Sequence, residues 1–161
     1  MPRRKSVSFK RDIGVDLKYR SDLVQRFINV IMRRGKKNVA RKIVYGAIDI
    51  LAQKVGGGSQ EKALKFFKSS FDKVVPAVEV RSRRVGGSVY QIPREVGAGR
   101  GRALAMRWII SASKARSNKT MSERLASELM DANSGRGSAI KKRSDVHRMA
   151  EASRAFSHYS W

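Results

Sequence analysis

Lysine and arginine number 36 in this chain of 161 residues, against 13 aspartates and glutamates, so the formal net charge is +23. Self-repulsion of that size opposes compaction, and a chain that carries it normally meets a polyanion that relieves it. Any fold must therefore bury an apolar core while leaving nearly every cation at the surface. Enough core material exists: Leu, Ile, Val and Phe number 38, about 24% of the chain and above the roughly 20% below which high charge usually means disorder. The length suits one domain, residues 1–161. With no cysteine, disulfides, cysteine-ligated zinc and thiol nucleophiles are excluded. No apolar run approaches the roughly 18 residues of a membrane span, so no membrane partner is expected, and the first twenty residues hold no signal-peptide apolar region. Residues 1–18 read as a short basic arm, because Asp12 and Asp16 closely follow its cations.

Helical spacing dominates residues 21 to 75. Ser21 or Asp22 can cap a helix that buries Leu23, Val24, Phe27, Ile28 and Ile31, with Arg33, Arg34 and Gly35 as a basic last turn and closing glycine. Val39, Ile43, Ala47 and Ile50 interleave with Ala40, Val44, Ile48 and Leu51 in a second helix of wide apolar stripe. Gly56, Gly57 and Gly58 break it. Ser59 then caps a third helix with Ala63, Leu64, Phe67, Phe71 and Val74 inward and Lys62, Lys65 and Lys68 solvated.

From Pro76 the period becomes two. Val78 and Val80 alternate with Glu79 and Arg81, and Val89 to Ile92 resume extended character after Gly86-Gly87. A two-residue Gly-Gly loop suits a primed turn and sets Arg84 opposite Val89, Arg83 opposite Tyr90 and Glu79 opposite Arg94. This is a β-hairpin over 76–96, with strands of nine residues reaching roughly 30 Å. Such a ribbon is marginal alone, so its outer half is expected to rest on something else. A Gly-rich link from Gly97 to Arg102 leads into an apolar central helix around Ala103 to Ile110. Thr120 and Glu123 form a capping box for a fifth helix with Met121, Leu125 and Leu129 inward and Gly135 past its end. A sixth begins between Ser138 and Ser144 and runs to about Ser157. The expected fold is mostly α: a six-helix single domain with a protruding β-hairpin between helices three and four.

Nothing reads as catalytic. His147 and Glu151 lie four apart on one helical face, but Arg148 and Arg154 crowd it with positive charge hostile to a metal, and a solvated ion pair is the better reading. The glycines at 97, 99 and 101 lack the dinucleotide fingerprint and its βαβ setting, although a helix N-terminus there suits an RNA phosphate. No nucleophile elbow or phosphate-loop lysine occurs, so no enzyme, cofactor or metal is expected.

The cations gather instead in six clusters: Arg3, Arg4, Lys5, Lys10 and Arg11; Arg33, Arg34, Lys36 and Lys37; Arg81, Arg83 and Arg84; Arg100 and Arg102; Lys114, Arg116 and Lys119; Lys141, Lys142 and Arg143. They fall mainly at element ends, loops and the ribbon, as phosphate contact requires. Tyr90, His158, Tyr159 and Trp161 are candidates for stacking on unpaired bases, although the terminal tryptophan equally suits a fraying end or a core plug. A helix-turn-helix DNA regulator would concentrate its charge and base-reading residues on one recognition helix. Here the charge is spread over many elements, as a multi-helix RNA junction demands. An RNA-processing enzyme lacks an acid/base set.

Four stretches carry a family resemblance: Gly35-Lys36-Lys37 with Ile43-Val44-Tyr45; Val78 to Gly87; Ala103 to Trp108; and Lys141-Lys142-Arg143 through Asp145-Val146-His147-Arg148-Met149-Ala150-Glu151-Ala152 to Phe156. Through them the chain resembles the bacterial small-subunit ribosomal protein seven family, with departures such as Gly97-Ala98 where Arg-Pro is usual. The resemblance implies a cytoplasmic, ribosomal place and primary binding to the 3′ major domain of small-subunit rRNA, with nucleation of head assembly. It implies a position at the subunit interface near the exit-site tRNA and decoding region, beside small-subunit proteins nine and eleven. The rRNA contacts are then the first two clusters with Arg81, Arg100, Arg102, Arg107, Lys114, Arg116 and Lys119. Those facing tRNA are Arg83, Arg84, Gly86, Gly87, Tyr90, Lys141, Lys142, Arg143 and Arg148.

Overall fold

The structure, a computed structural model, describes residues 12–55 and 57–159. Among them run α1 (Asp22–Ile31), α2 (Lys37–Lys54), α3 (Gln60–Val74), β1 (Val78–Val85), β2 (Ser88–Glu95), α4 (Ala98–Ala115), α5 (Met121–Asn133) and α6 (Ser138–Ala152), then a 3-10 helix at Arg154–Tyr159. The chain is thus mostly α, six helices with an antiparallel hairpin between the third and fourth, as its periodicity predicts.

One apolar core joins the helices. Val24, Phe27 and Ile28 of α1 meet Val44, Ile48 and Leu51 of α2, Phe67 and Phe71 of α3, Ile109 of α4, and Leu125 and Leu129 of α5, all essentially without solvent exposure. Phe27 and Phe67 meet edge to face at 5.5 Å, the arrangement their ring quadrupoles favour. At the N-terminal edge, the buried Asp16 carboxylate accepts hydrogen bonds from Tyr45 Oη at 2.7 Å, Tyr19 N at 3.0 Å and Lys18 N at 3.1 Å, which fastens the chain entering α1 onto α2.

Caps behave as their chemistry dictates at two helices and not at a third. Ser21 Oγ accepts from Val24 N, and Thr120 and Glu123 form the reciprocal capping box. Ser59 occupies the N-cap of α3 but makes no side-chain cap bond.

Four features differ from the sequence reading. Helix α1 stops at Ile31 because Met32 turns extended (ψ 135) with its side chain on the core. Arg34 and Gly35 then take positive φ, 52 and 72, so Arg33 and Arg34 belong to a turn rather than to a last helical turn. The apolar stripe of α2 is narrower than expected, since Val39 is 53% exposed. The Gly-rich stretch from 97 is not a link: α4 begins at Ala98. A Cβ at Gly101 would stand 3.1 Å from Val75 Cγ1 and 3.4 Å from Pro76 O, so this glycine lets the helix approach the end of α3 closely. Finally, α6 starts at Ser138 but ends at Ala152, and the chain tightens into the 3-10 helix instead of continuing to Ser157.

The hairpin register is the one the Gly-Gly turn demands: Glu79 opposite Arg94, Arg83 opposite Tyr90, Arg84 opposite Val89. Gly86 and Gly87 take φ of 57 and 90, the conformation of a type I′ turn. Each strand has eight residues, one fewer than expected, for an arm of about 27 Å.

Candidate nucleic-acid interface

Residues opposite one another in the ladder share a face of the ribbon, and Glu79, Ile92 and Tyr90 lie on the same one. That face docks. Ile92 is 3% exposed and Glu79 7%, while the Tyr90 ring sits 5.0 Å from that of Phe156 in the terminal 3-10 helix. Tyr90, expected to stack on a base, packs on the protein, its ring tilted 49° to that of Phe156. At the root, Arg100 Nε of α4 donates to both Glu79 carboxylate oxygens, at 2.9 and 2.7 Å, and Arg81 Nε donates to Oε1 at 3.0 Å. Burial alone would raise the Glu79 carboxyl pKa, but the hydrogen bonds from Arg100 and Arg81 outweigh it and hold it below the usual glutamate value. Arg81 and Arg100 thus serve as a clamp on the arm, which engages their Nε donors internally. At the tip, Arg83, Arg84, Gly86 and Gly87 are exposed.

Behind the root, His147 of α6 does not pair with Glu151. Its Nε2 accepts the Ala77 backbone N–H at 3.2 Å, and desolvation, reinforced by Arg143, holds its pKa below the ordinary histidine value. A neutral acceptor at this point holds α6 against the strand that begins at Val78. No cluster of His, Asp and Glu fit to hold a metal occurs among the described residues.

Two grooves beside α1 have cationic rims. The first, about 250 Å³, has Ile31, Met32, Val39, Ala40, Ile43 and Met121 as its floor and Arg33, Lys36 and Lys114 at its rim. It forms because the α1–α2 turn reaches the end of α4 and the start of α5. The Lys114 ammonium is held below the ordinary lysine pKa, first by desolvation and second by repulsion from Arg33. Two cations thus crowd one opening, and an anion between them would relieve both. The second groove, about 390 Å³, lies between α1 and α4, where Arg26 and Arg102 flank Ile13, Val30, Ala103 and Met106.

The remaining expected residues divide. Arg34, Arg107 and Lys119 are exposed and Lys37 is half-buried. Arg116 is turned inward: its Nε donates to the buried Glu128 carboxylate at 2.7 Å and an Nη to Asp131, and Glu128 also accepts from Ala139 N at 2.9 Å. Burial works against its charge, yet the bonds to Asp131 and Glu128 raise its pKa. It joins α4, α5 and α6, and so stands apart from the interface. Lys141 and Lys142 are exposed, Arg148 lies 3.6 Å from Asp145, and Arg143 donates to the Lys73 carbonyl. Arg3, Arg4, Lys5, Lys10, Arg11 and Trp161 lie outside the described residues, as do the side chains of His158 and Tyr159.

Sequence reasoning passed over Arg26, an isolated cation whose i,i+4 ion pair with Asp22 reads as ordinary helix surface. It also missed Phe156 as the seat of Tyr90, for which an aromatic residue in the last turn of an expected helix offered no signal.

Comparison with known proteins bears on what meets these grooves. The family profile described as ribosomal protein S7p/S5e matches residues 2–154. The small ribosomal subunit protein uS7 of Colwellia psychrerythraea is 53% identical over 161 residues, covering both chains in full. That of Idiomarina loihiensis is 54% identical over the same span, and that of Granulibacter bethesdensis 55% over 159 residues, 99% of this chain and 98% of the relative.

Proposed function

We propose a function from one premise: the chain belongs to the ribosomal protein S7p/S5e family. It is a non-enzymatic structural component of the small ribosomal subunit, part of the cytoplasmic ribonucleoprotein that carries out translation. Within that role, we read it as a single RNA-binding domain that binds the 3′ major domain of small-subunit rRNA directly and nucleates assembly of the head. The two body grooves hold the rRNA through Arg33, Lys36, Lys114 and Arg102, and Arg34, Lys37, Arg107 and Lys119 outside the grooves add contacts, together with the basic residues 3–11. The hairpin tip, with Lys141, Lys142 and Arg148 of α6, faces the exit-site tRNA and decoding region, beside small-subunit proteins nine and eleven.

The observation that carries this reading is the Arg33–Lys114 opening. Two cations repel one another over an apolar floor, an arrangement that a phosphate with its neighbouring sugar and base satisfies in charge and in surface. Binding to an rRNA fragment of the 3′ major domain, measured at several salt concentrations, tests it. Each phosphate neutralised adds roughly 0.7 to 0.9 to the log-log slope, and several are expected. A flat response contradicts direct phosphate binding.

A further inference from the structure

Away from these grooves, the end of α3 carries a basic surface that the proposed function leaves unused. An open groove of about 620 Å³ is lined by Lys65, Lys68, Ser69, Asp72, Lys73 and Arg143, four cations and a single carboxylate. Lys62 stands one turn earlier on the same helix, exposed, with Glu61 beside it. Lys62, Lys65 and Lys68 follow one another at three-residue spacing, and among the described residues none of the three ammonium groups forms an ion pair or hydrogen bond, to Glu61 and Asp72 included. Two cations are held in place instead of waving in solvent. Lys73 Nζ donates to the Asn133 carbonyl, and an Arg143 Nη donates to the Lys73 carbonyl at 2.9 Å while its Nε is buried without a hydrogen-bond partner.

The groove is remote from the Arg33–Lys114 opening. Met121, at the start of α5, lines that opening, whereas Asn133, at the other end of α5, meets Ser69 and Lys73. Twelve helical steps separate the two places by roughly 18 Å. We infer that this α3–α6 groove is a second RNA-binding surface, which engages the phosphate backbone of an RNA segment distinct from the one in the body grooves. The inference rests on the reading of the chain as a ribosomal RNA-binding protein. RNA is favoured over a protein partner because, among the described residues, no apolar or aromatic side chain lines the groove. Protein interfaces rely on such anchors at their centre, while phosphates need only cations and hydroxyl donors of the kind Ser69 supplies. Arg143 is then a member of this surface and not one of the tRNA-facing residues.

The chain has no cysteine, so a single introduced thiol is unique. Small subunits are reconstituted with full-length Lys68→Cys or Lys36→Cys protein bearing a tethered hydroxyl-radical source, and the RNA cleavage is mapped. Cleavage from position 68 on a segment different from that cut from position 36 is the expected result. The Lys65→Gln/Lys68→Gln double variant should bind whole small-subunit rRNA with a log-log salt slope shallower by roughly 1.4 to 1.8. Silence from position 68 with cleavage from position 36 overturns the inference and leaves the proposed function standing. So does cleavage of the same segment from both positions, or an unchanged slope. Silence from both positions overturns the proposed function itself.

Discussion

The body and the hairpin arm both carry dense positive charge, but they hold it in opposite ways. In the body, Arg33 and Lys114 crowd one opening on elements fixed by the common core, and among the described residues no carboxylate pairs with either. In the arm, charge near the root is neutralised by Glu79, and the ladder continues past the Arg83–Tyr90 pair, whose tyrosine packs on Phe156, only to Arg84, Val85 and the Gly-Gly turn. Charge left unrelieved on a rigid frame suits a structured, permanent partner, because the cost of ordering it has been met in folding. Charge at the end of a ribbon suits a partner that comes and goes. Number of cations alone does not distinguish the two regions; where the carboxylates sit does.

The sharpest way to break this contrast is to show that a body arginine is interchangeable with its neighbours. Arg116→Ala should not behave as an RNA-contact variant. It removes the partner of a fully buried Glu128 and is expected to cost about 3 kcal/mol of stability in urea unfolding, with no change in the salt slope of rRNA binding. Arg33→Ala with Lys114→Ala should do the reverse. Stability stays the same or rises slightly as the repulsion disappears, while rRNA binding weakens by about 1.5 to 3 kcal/mol for each contact fully made.

These two variants also mark what can be read from sequence. Helical period, the capping box at Thr120 and the hairpin register were legible because each is set by local chemistry: spacing of apolar residues, a hydroxyl three residues before a carboxylate, and a Gly-Gly pair that supplies the positive φ a primed turn needs. Clusters of cations were legible as charge but not as role. Arg116 and Lys114 are two residues apart, yet Arg116 meets carboxylates on α5 that local sequence cannot place beside it, whereas Lys114 meets Arg33. Gly97 to Gly101 misled in the same manner, since the glycine at 101 is there for a tertiary approach to Val75 and Pro76 and not to break a helix. The end of α1 was misplaced because the core contact of Met32 decides it.

Smaller effects sharpen the description of the arm. Glu79→Gln keeps the shape of the root but removes its charge, and should cost about 1 to 2 kcal/mol, a charge-assisted contact discounted for the half-exposed arginines. Because its folded pKa is depressed, the contribution of Glu79 is present above the ordinary glutamate value and is lost as pH falls through the lower folded value. The root of wild-type protein should therefore hold to acid pH, as amide exchange at residues 78–80 would report. His147 makes the smallest difference. Its folded pKa is also below its free value, so the unfolded chain takes up the proton first, and stability is full above about 6.5 and declines as pH falls below it. His147→Ala should remove that pH dependence and cost at most about 1 kcal/mol, the net value of one hydrogen bond, because water can reach the exposed Ala77 N–H.

The division between body and arm is tested most directly by measuring two quantities in two variants: affinity for the rRNA fragment, and occupancy of exit-site tRNA on assembled subunits. Arg83→Ala/Arg84→Ala should leave rRNA affinity within about one charge-assisted contact per residue, and alter retention of the tRNA. Arg33→Ala/Lys36→Ala/Lys114→Ala should lose more rRNA affinity and flatten its salt slope. If the tip variant instead loses rRNA binding as severely as the body variant while exit-site occupancy stays normal, the arm is an rRNA anchor and the account is contradicted.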